Sequence, residues 1–382
     1  MIYFDHNATT PVRPEVREGM APYLDHVYGN PSSLHRFGQQ ARKAVDEARE
    51  QVAHLVGSDP DEIFFTSGGT EADNWAVNGA AAALEGRVVT TAIEHHAVLH
   101  SAEALRHQQR EVVIAGVDGR GLVDPESLVS LAGSAAALVS VVHGNNETGA
   151  IQPIAAFAAQ LRGKGILIHA DAVQSAGKVV VSVDDLGVDL LSLSAHKING
   201  PKGTGALYVR RGTSLGPGFL GGGHEGGRRA GTENVAGIVG FGITAELRRR
   251  ELQGETKRVS LLRQRLESGI IDGIEDVVVN SPPVEQRLSN TLNISFRGVE
   301  AEAIILGLDL EGIAVSSGSA CSSGEPEPSH VLLAAGIEPR LATSAVRFSL
   351  GWGNTAAQVD RVLEVLAALV QRLREVSALP SG

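Results

Sequence analysis

The sequence predicts an α/β protein, with a large domain on a mostly parallel sheet and a smaller α+β domain after it. Three observations predict this. Short apolar runs alternate with helical stretches through the first half of the chain. After about Gly242 a long charged helical stretch and fewer, shorter strand candidates take over. And 382 residues exceed what one simple core holds.

The expected strands of the large domain are Glu62–Ser67, Arg87–Ala92, Glu111–Ala115, Ala137–His143, Gly165–Ala170, Asp189–Ser194 and Gly205–Arg210. Ahead of the first, Ala41, Ala44, Val45, Ala48, Val52 and Leu55 form one helix face, and Gly57 suits its end. Strands separated by helices imply crossover connections and a sheet covered on both faces. Ile243 to Leu266 reads as a long charged helix that bridges domains, with a break expected near Gly254. Asp276–Asn280, Thr291–Phe296 and Ala345–Leu350 are the later strands. The chain closes on a helix with Val359, Val362, Leu363, Leu366, Val370 and Leu373 on one face, opened by a Thr355–Gln358 capping box.

Composition narrows the function. Residues are 43% hydrophobic and 20% charged, an ordinary soluble balance. The net charge of -11, from 33 basic and 44 acidic residues, argues against a nucleic-acid grip built on phosphate contacts. Arg228 and Arg229 form a local basic cluster that would be the place for such a contact. A single cysteine permits no intrachain disulfide and fits a cytoplasmic setting. The opening MIYFDHNATTP lacks the basic-then-apolar pattern of a secretory signal, and no apolar run reaches the roughly 20 residues of a membrane span.

In open parallel sheets, ligands bind beyond the carboxyl ends of the strands. Four such ends carry chemistry here. Ser67-Gly68-Gly69-Thr70-Glu71 opens a helix whose N–H groups suit an anion, although an ordinary helix cap gives the same pattern. IEHHAV places His95 where it could stack on an aromatic ligand; His96 and His100 read equally as surface histidines, and no further ligand completes a metal set. HADAVQ puts Asp171 at the end of a buried strand, where it either caps a helix or meets a protonated pyridine nitrogen. SAHK places Lys197 at a strand end. There it is either a solvated lysine or one whose pKa desolvation lowers, as Schiff-base chemistry needs, and by itself the solvated reading is the ordinary one; Ser194 and His196 could reach a phosphate. Cys321 sits in SSGSACSSGEPEPSH, whose small and turn-forming residues offer little apolar cover. An accessible nucleophile is the better reading of this lone thiol.

Taken together, the motifs resemble the pyridoxal-phosphate (PLP) cysteine desulfurases of the NifS/IscS-like group, in the aminotransferase class V family. The resemblance runs from YFDHNATTP (Tyr3 to Pro11) to RFSLG (Arg347 to Gly351). Between them lie GNPSSLHRFG, TSGGTEADN, EHHAV, NNETG, HADAVQSAGK, SLSAHKINGPKGTGALYVRRG, GGGHEGGRRAGTEN and SSGSAC. It implies the aspartate-aminotransferase-like fold of PLP-dependent transferases (fold type I), and a homodimer. It also implies a large PLP-binding domain at 15–257 and a small domain made of 1–14 and 258–382.

The same resemblance implies the residue roles. Lys197 matches the lysine that joins the cofactor, Asp171 its pyridine-nitrogen partner, Gln174 the donor to its ring hydroxyl, and His95 the ring-stacking histidine. Thr70, Ser194 and His196 match phosphate ligands, and Thr232 a phosphate ligand lent by the other subunit. Arg347, Asn30 and Asn146 match residues near the substrate carboxylate. Cys321 matches the acceptor that carries sulfur as a persulfide to a partner protein, such as an iron–sulfur cluster scaffold. Selenocysteine lyase and aminotransferase activities are the alternatives on this scaffold, and a cofactor-free interaction protein is the alternative from another class.

Overall fold

The computed structural model describes residues 1–317 and 327–377. Its strands are β1 (Ile2–Tyr3), β2 (Ile63–Thr66), β3 (Arg87–Thr91), β4 (Val112–Ala115), β5 (Ala136–Val142) and β6 (Leu167–Asp171). They continue with β7 (Leu190–Ser194), β8 (Gly205–Val209), β9 (Val277–Val279), β10 (Thr291–Phe296), β11 (Ile313–Ala314) and β12 (Ala345–Ser349).

Seven of these form the central sheet in the order β2-β8-β7-β6-β5-β3-β4. The run β4-β3-β5-β6-β7 is parallel, and β8 is antiparallel to both β7 and β2. The parallel strands are apolar nearly throughout, because both faces are covered; every residue of β5 is buried. On one face lies a core of Val45, Val52, Leu128, Phe157 and Phe241. On the other, Trp75, Val77, Val98 and Leu105 of two helices cover the sheet. The helix Arg36–Val56 buries the expected Ala41, Ala44, Val45, Ala48 and Val52 and ends at Gly57, in the left-handed conformation (φ 70°) that glycine tolerates.

A single helix, Val235–Gly273, runs 39 residues without interruption. The break expected near Gly254 does not occur. A glycine within a helix costs only about 1 kcal/mol relative to alanine. Here both flanks are buried, Ile238, Phe241 and Ala245 in the sheet core and Val259, Leu266 and Ile270 in a second core.

That second core gathers Phe4, Leu292, Phe296, Ile304, Phe348 and Leu366. Around it lie the antiparallel sheet β12-β10-β9, the parallel pair β1-β11 and the closing helix Ala356–Ser377. The capping box forms: the Gln358 N–H donates to Thr355 Oγ1 at 3.3 Å and the Thr355 N–H to Gln358 Oε1 at 3.2 Å. β1 and β11, two residues each, are too short to show a pattern in the sequence. β1 nevertheless carries the N-terminus into the second core before residues 5–13 cross to the end of β7. There Thr10 Oγ1 donates to the His196 carbonyl and the Arg13 N–H to that of Asn199.

Candidate functional site

A cavity of about 270 Å³ opens beyond the carboxyl ends of β5, β6 and β7. Asn7, Thr70, Asp73, His95, Asn146, Asp171, Gln174, Ser194, His196, Lys197, Ser316 and Arg347 are among its lining residues. Nine of the sequence-derived positions thus meet: Thr70, His95, Asn146, Asp171, Gln174, Ser194, His196, Lys197 and Arg347.

Each is placed by a local cause. Asp171 closes β6 and Ser194 closes β7, adjacent parallel strands, so the two ends are brought side by side by register. A one-turn helix, Ala195–Lys197, then lifts Lys197 over the sheet edge. Thr70 stands in the first turn of the helix Gly69–Ala83, which has no side-chain cap. His95 is not on a strand: β3 ends at Thr91, and His95 caps the helix His96–His107 by accepting the Ala97 N–H at 3.1 Å. The expectation of His95 at a strand end is corrected accordingly. His96 Nδ1 lies 3.1 Å from His100 Nε2 on the surface, and neither lines the cavity.

The electrostatics suit a reactive amine beside a buried acid. Burial, then the Arg347 guanidinium, bring Lys197 down to about 8, with Asp171 and Asp5 opposing. Burial pushes Asp171 up to about 6, although it accepts the Val173 N–H at 2.9 Å. Burial and then Lys197 lower His95 to about 4, so its imidazole is neutral at pH 7. His196 falls to about 4 for the same two reasons, and its Nδ1 sits 3.0 Å from Thr9 Oγ1.

Two features suit a group that carries both an anion and a protonated nitrogen. Ser194 Oγ is buried with no hydrogen-bond partner among the described residues, a cost an anion's oxygen would remove. Asp171, a buried carboxyl, stands where a protonated ring nitrogen would stabilise its charge. The helix opening at Gly69 and Thr70, the Ser194 hydroxyl and the His196 ring suit a phosphate.

Arg347, on β12 of the small core, enters from the opposite wall. Its Nη2 donates to Asp5 Oδ1 at 2.7 Å and its Nη1 to the Asn146 carbonyl at 3.1 Å. Among the described residues its buried Nε has no acceptor. Gln174 donates to the Asn7 carbonyl at 2.8 Å and accepts from Lys178 at 2.6 Å. Asn30 and Thr232 are exposed and do not line this cavity. Cys321 lies outside the described residues. The arginine pair is not an open basic patch: Arg229 grips Glu71 at 2.7 and 3.1 Å, and Arg228 lies over the Phe64 ring.

Sequence reading missed Asp5, Asn7, Asp73, Glu94 and Lys178, all in or against the site. Asp5 and Asn7 sit in a quoted motif, but nothing local distinguishes them from turn residues. Lys178 is buried with only amide oxygens as acceptors among the described residues, and burial holds its amine well below the usual lysine range.

The cavity sets a lysine of lowered pKa beside a buried aspartate at the carboxyl edge of the sheet, an arrangement suited to an enzyme that works through a reactive lysine. The chain belongs to the aminotransferase class-V family, whose model matches residues 2–362. It is 46% identical over 379 residues to a protein named cysteine desulfurase IscS from Dictyoglomus turgidum, covering 98% of this chain and 96% of that one. Among solved structures, a NifS-like protein superposes with a TM-score of 0.91 at 38% identity, over 97% of this chain and 100% of the other. A structure described as SspA in complex with cysteine superposes at 0.81 with 34% identity, over 92% and 99%.

Proposed function

We propose that this chain is a PLP-dependent cysteine desulfurase that passes sulfur from free L-cysteine to Cys321, leaving L-alanine. The observation that carries the reading is the convergence of Lys197, Asp171, His95 and Arg347 on one cavity. When bound, PLP supplies an electron sink for the carbon bearing the substrate amine. Lys197 would be its attachment point, Asp171 would partner its ring nitrogen, His95 would stack on its ring, and Gln174 would donate to its hydroxyl. Thr70, Ser194 and His196 would hold its phosphate.

This chain's own residues carry the rest. Arg347 holds the substrate carboxylate through its guanidinium fork, with Asn146 beside it. Lys197, lowered toward neutrality, takes the α-proton. The Cys321 thiolate attacks the substrate sulfur: an S–S bond forms, the substrate C–S bond breaks, and the carbon fragment leaves as alanine after reprotonation. Ser316, five residues before Cys321 in the chain, lines the cavity, which supports this assignment. The persulfide then serves an acceptor protein, an iron–sulfur scaffold being the class the IscS relatives suggest.

The same reading includes a homodimer, with Thr232 lent to the partner's phosphate site; Thr232 is exposed and off its own chain's cavity, and Asn30, expected near the substrate carboxylate, is likewise exposed and off that cavity. It includes the domain division at 15–257 against 1–14 and 258–382, supported by the two separate cores, and a cytoplasmic location. No described helix is long and apolar enough to cross a membrane.

The test is incubation with cysteine, followed by quantification of alanine and mass analysis of the protein. One sulfur should be added, removable by reductant, on the peptide containing Cys321. Cys321→Ala should keep the visible cofactor band and lose alanine production. Desulfuration by that variant at the wild-type rate would overturn the assignment.

A further inference from the structure

Lys197 Nζ donates to two main-chain oxygens, that of Asn7 at 2.7 Å and that of Ala8 at 2.8 Å. Both belong to the segment that crosses from the small core to the end of β7. Asn7 is fully buried, and every polar atom it owns is engaged. Its N–H donates to Ser349 Oγ at 2.9 Å. Its Nδ2 donates to the Asn146 carbonyl at 3.0 Å and to Thr291 Oγ1 at 2.9 Å. Its Oδ1 accepts from Lys178 Nζ at 3.1 Å and Asn290 Nδ2 at 2.9 Å. Its carbonyl accepts from Gln174 as well as from Lys197.

An asparagine side chain offers two donor hydrogens and two acceptor lone pairs, and here all four are used. The partners come from the sheet domain (Asn146, Gln174, Lys178) and from the small core (Asn290, Thr291, Ser349) alike. One peptide is thus locked between two cores, with its carbonyl aimed at the reactive amine. Two carbonyl oxygens are good acceptors for an ammonium, and a charged donor makes the stronger bonds.

We propose that the Asn7 and Ala8 carbonyls are the seat of the Lys197 amine whenever it is free, and that Asn7 is the positioning residue that fixes this seat through its side chain. The proposal rests on Lys197 being the base assigned above. In the step concerned, the substrate Cα–H bond breaks, its electron pair stays with the substrate, and its proton joins the Nζ lone pair. The resulting ammonium is held by the two carbonyls until it gives the proton back. Lys178 and Asn290 act one bond further out, by pinning Asn7 Oδ1.

The experiment uses cofactor-loaded full-length protein and follows exchange of the alanine α-hydrogen for deuterium by NMR. That exchange needs Lys197 and does not need Cys321. Asn7→Ala should slow it at saturating alanine by about tenfold or more while changing KM by less than about twofold, the signature of an interaction made only during reaction. The visible band per protein should be unchanged. Asn7→Asp keeps an acceptor for Lys178 and Asn290 but sets an oxygen in place of the Nδ2 that donates to the Asn146 carbonyl, and should recover only part of the rate. Lys178→Met, which leaves the segment's own residues intact, should slow exchange by about threefold or more on the same reasoning. Wild-type exchange in both Asn7→Ala and Lys178→Met would overturn the proposal. So would losses that only track cofactor content or melting temperature, since those report a structural role. If wild type carries the band yet neither exchanges alanine nor desulfurates cysteine, the assignment of Lys197 as base fails first, and this seat with it.

Discussion

Arg347 Nη2 lies 2.7 Å from Asp5 Oδ1, although the two residues are 342 positions apart. The pair is largely buried and joins the residue just after β1 to the middle of β12. Asp5 takes one edge of the guanidinium and the Asn146 carbonyl another, and the buried Nε has no acceptor among the described residues.

A planar fork held this way is not replaced by a point charge. Arg347→Lys should lower kcat/KM for cysteine by about 100-fold, mostly through KM if the carboxylate is bound alike in ground and transition states. Asp5→Asn should raise KM by about tenfold or less, because the fork loses its charged anchor but not its own charge. Steady-state kinetics on both variants checks this. A larger loss for Asp5→Asn than for Arg347→Lys would reverse the assignment.

Burial pushes the Glu94 carboxyl up to about 8, and the nearby Asp171 adds to the effect. Glu94 accepts from the Thr91 hydroxyl and from the Val142 N–H at 3.0 Å, and its Oε2 has no partner among the described residues. The folded protein therefore holds this proton more tightly than the unfolded chain. Its contribution to stability is fully present below about pH 4.5 and is lost as pH rises through 8, by an amount on the order of a few kcal/mol. Glu94→Gln should remove that loss. Melting temperatures from pH 5 to 9 should fall less steeply in the variant, and the two proteins should differ most at the alkaline end.

Glu225 sits at a positive φ of 47° within the glycine-rich 221–231 stretch. Its carboxylate takes both Arg49 nitrogens at 2.8 Å and the Phe65 N–H at 2.9 Å. A non-glycine residue in this conformation costs about 1–2 kcal/mol, which three charge-assisted bonds outweigh. Glu225→Ala strands a nearly buried arginine and should destabilise by about 3 kcal/mol. Urea unfolding measures the loss, and faster cleavage in 221–231 under limited proteolysis would locate it.

Gly205 opens β8 directly beneath the start of the helix that begins at Gly69. A Cβ at this position would come within 2.6 Å of the Leu193 oxygen and 2.7 Å of the Gly68 Cα, both backbone atoms that cannot step aside. Gly205→Ala should cost about 2 kcal/mol in stability. It should also weaken cofactor binding, read by absorbance titration, because the displaced peptide opens the anion-binding turn. An unaltered titration curve would show that the helix start tolerates the shift.

The fold class was legible because it rests on local signals. Apolar runs of strand length between helical faces report a covered parallel sheet wherever they occur. Antiparallel β8 left no such mark, since its run GALYV reads like the parallel strands beside it. The positions of Asp171, Ser194 and Lys197 were legible for the same local reason: a polar residue closing a buried strand must emerge at the sheet's carboxyl edge. His95 was placed on the wrong element because a helix cap four residues past the strand looks like strand end in an apolar pattern.

By itself, then, the sequence determined the sheet and the chemical residues along its edge, since each depends on neighbours within a few positions. Only the tertiary structure decided what those residues touch. Asp5 meets Arg347, Asn7 seats Lys197, and Lys178 is buried against Asn7 because β1 is drawn into the second core and the following segment must cross the cavity to reach the end of β7. Separations of 171 to 342 residues leave no periodicity to read, and the contacts exist only once two independent cores have packed against one helix.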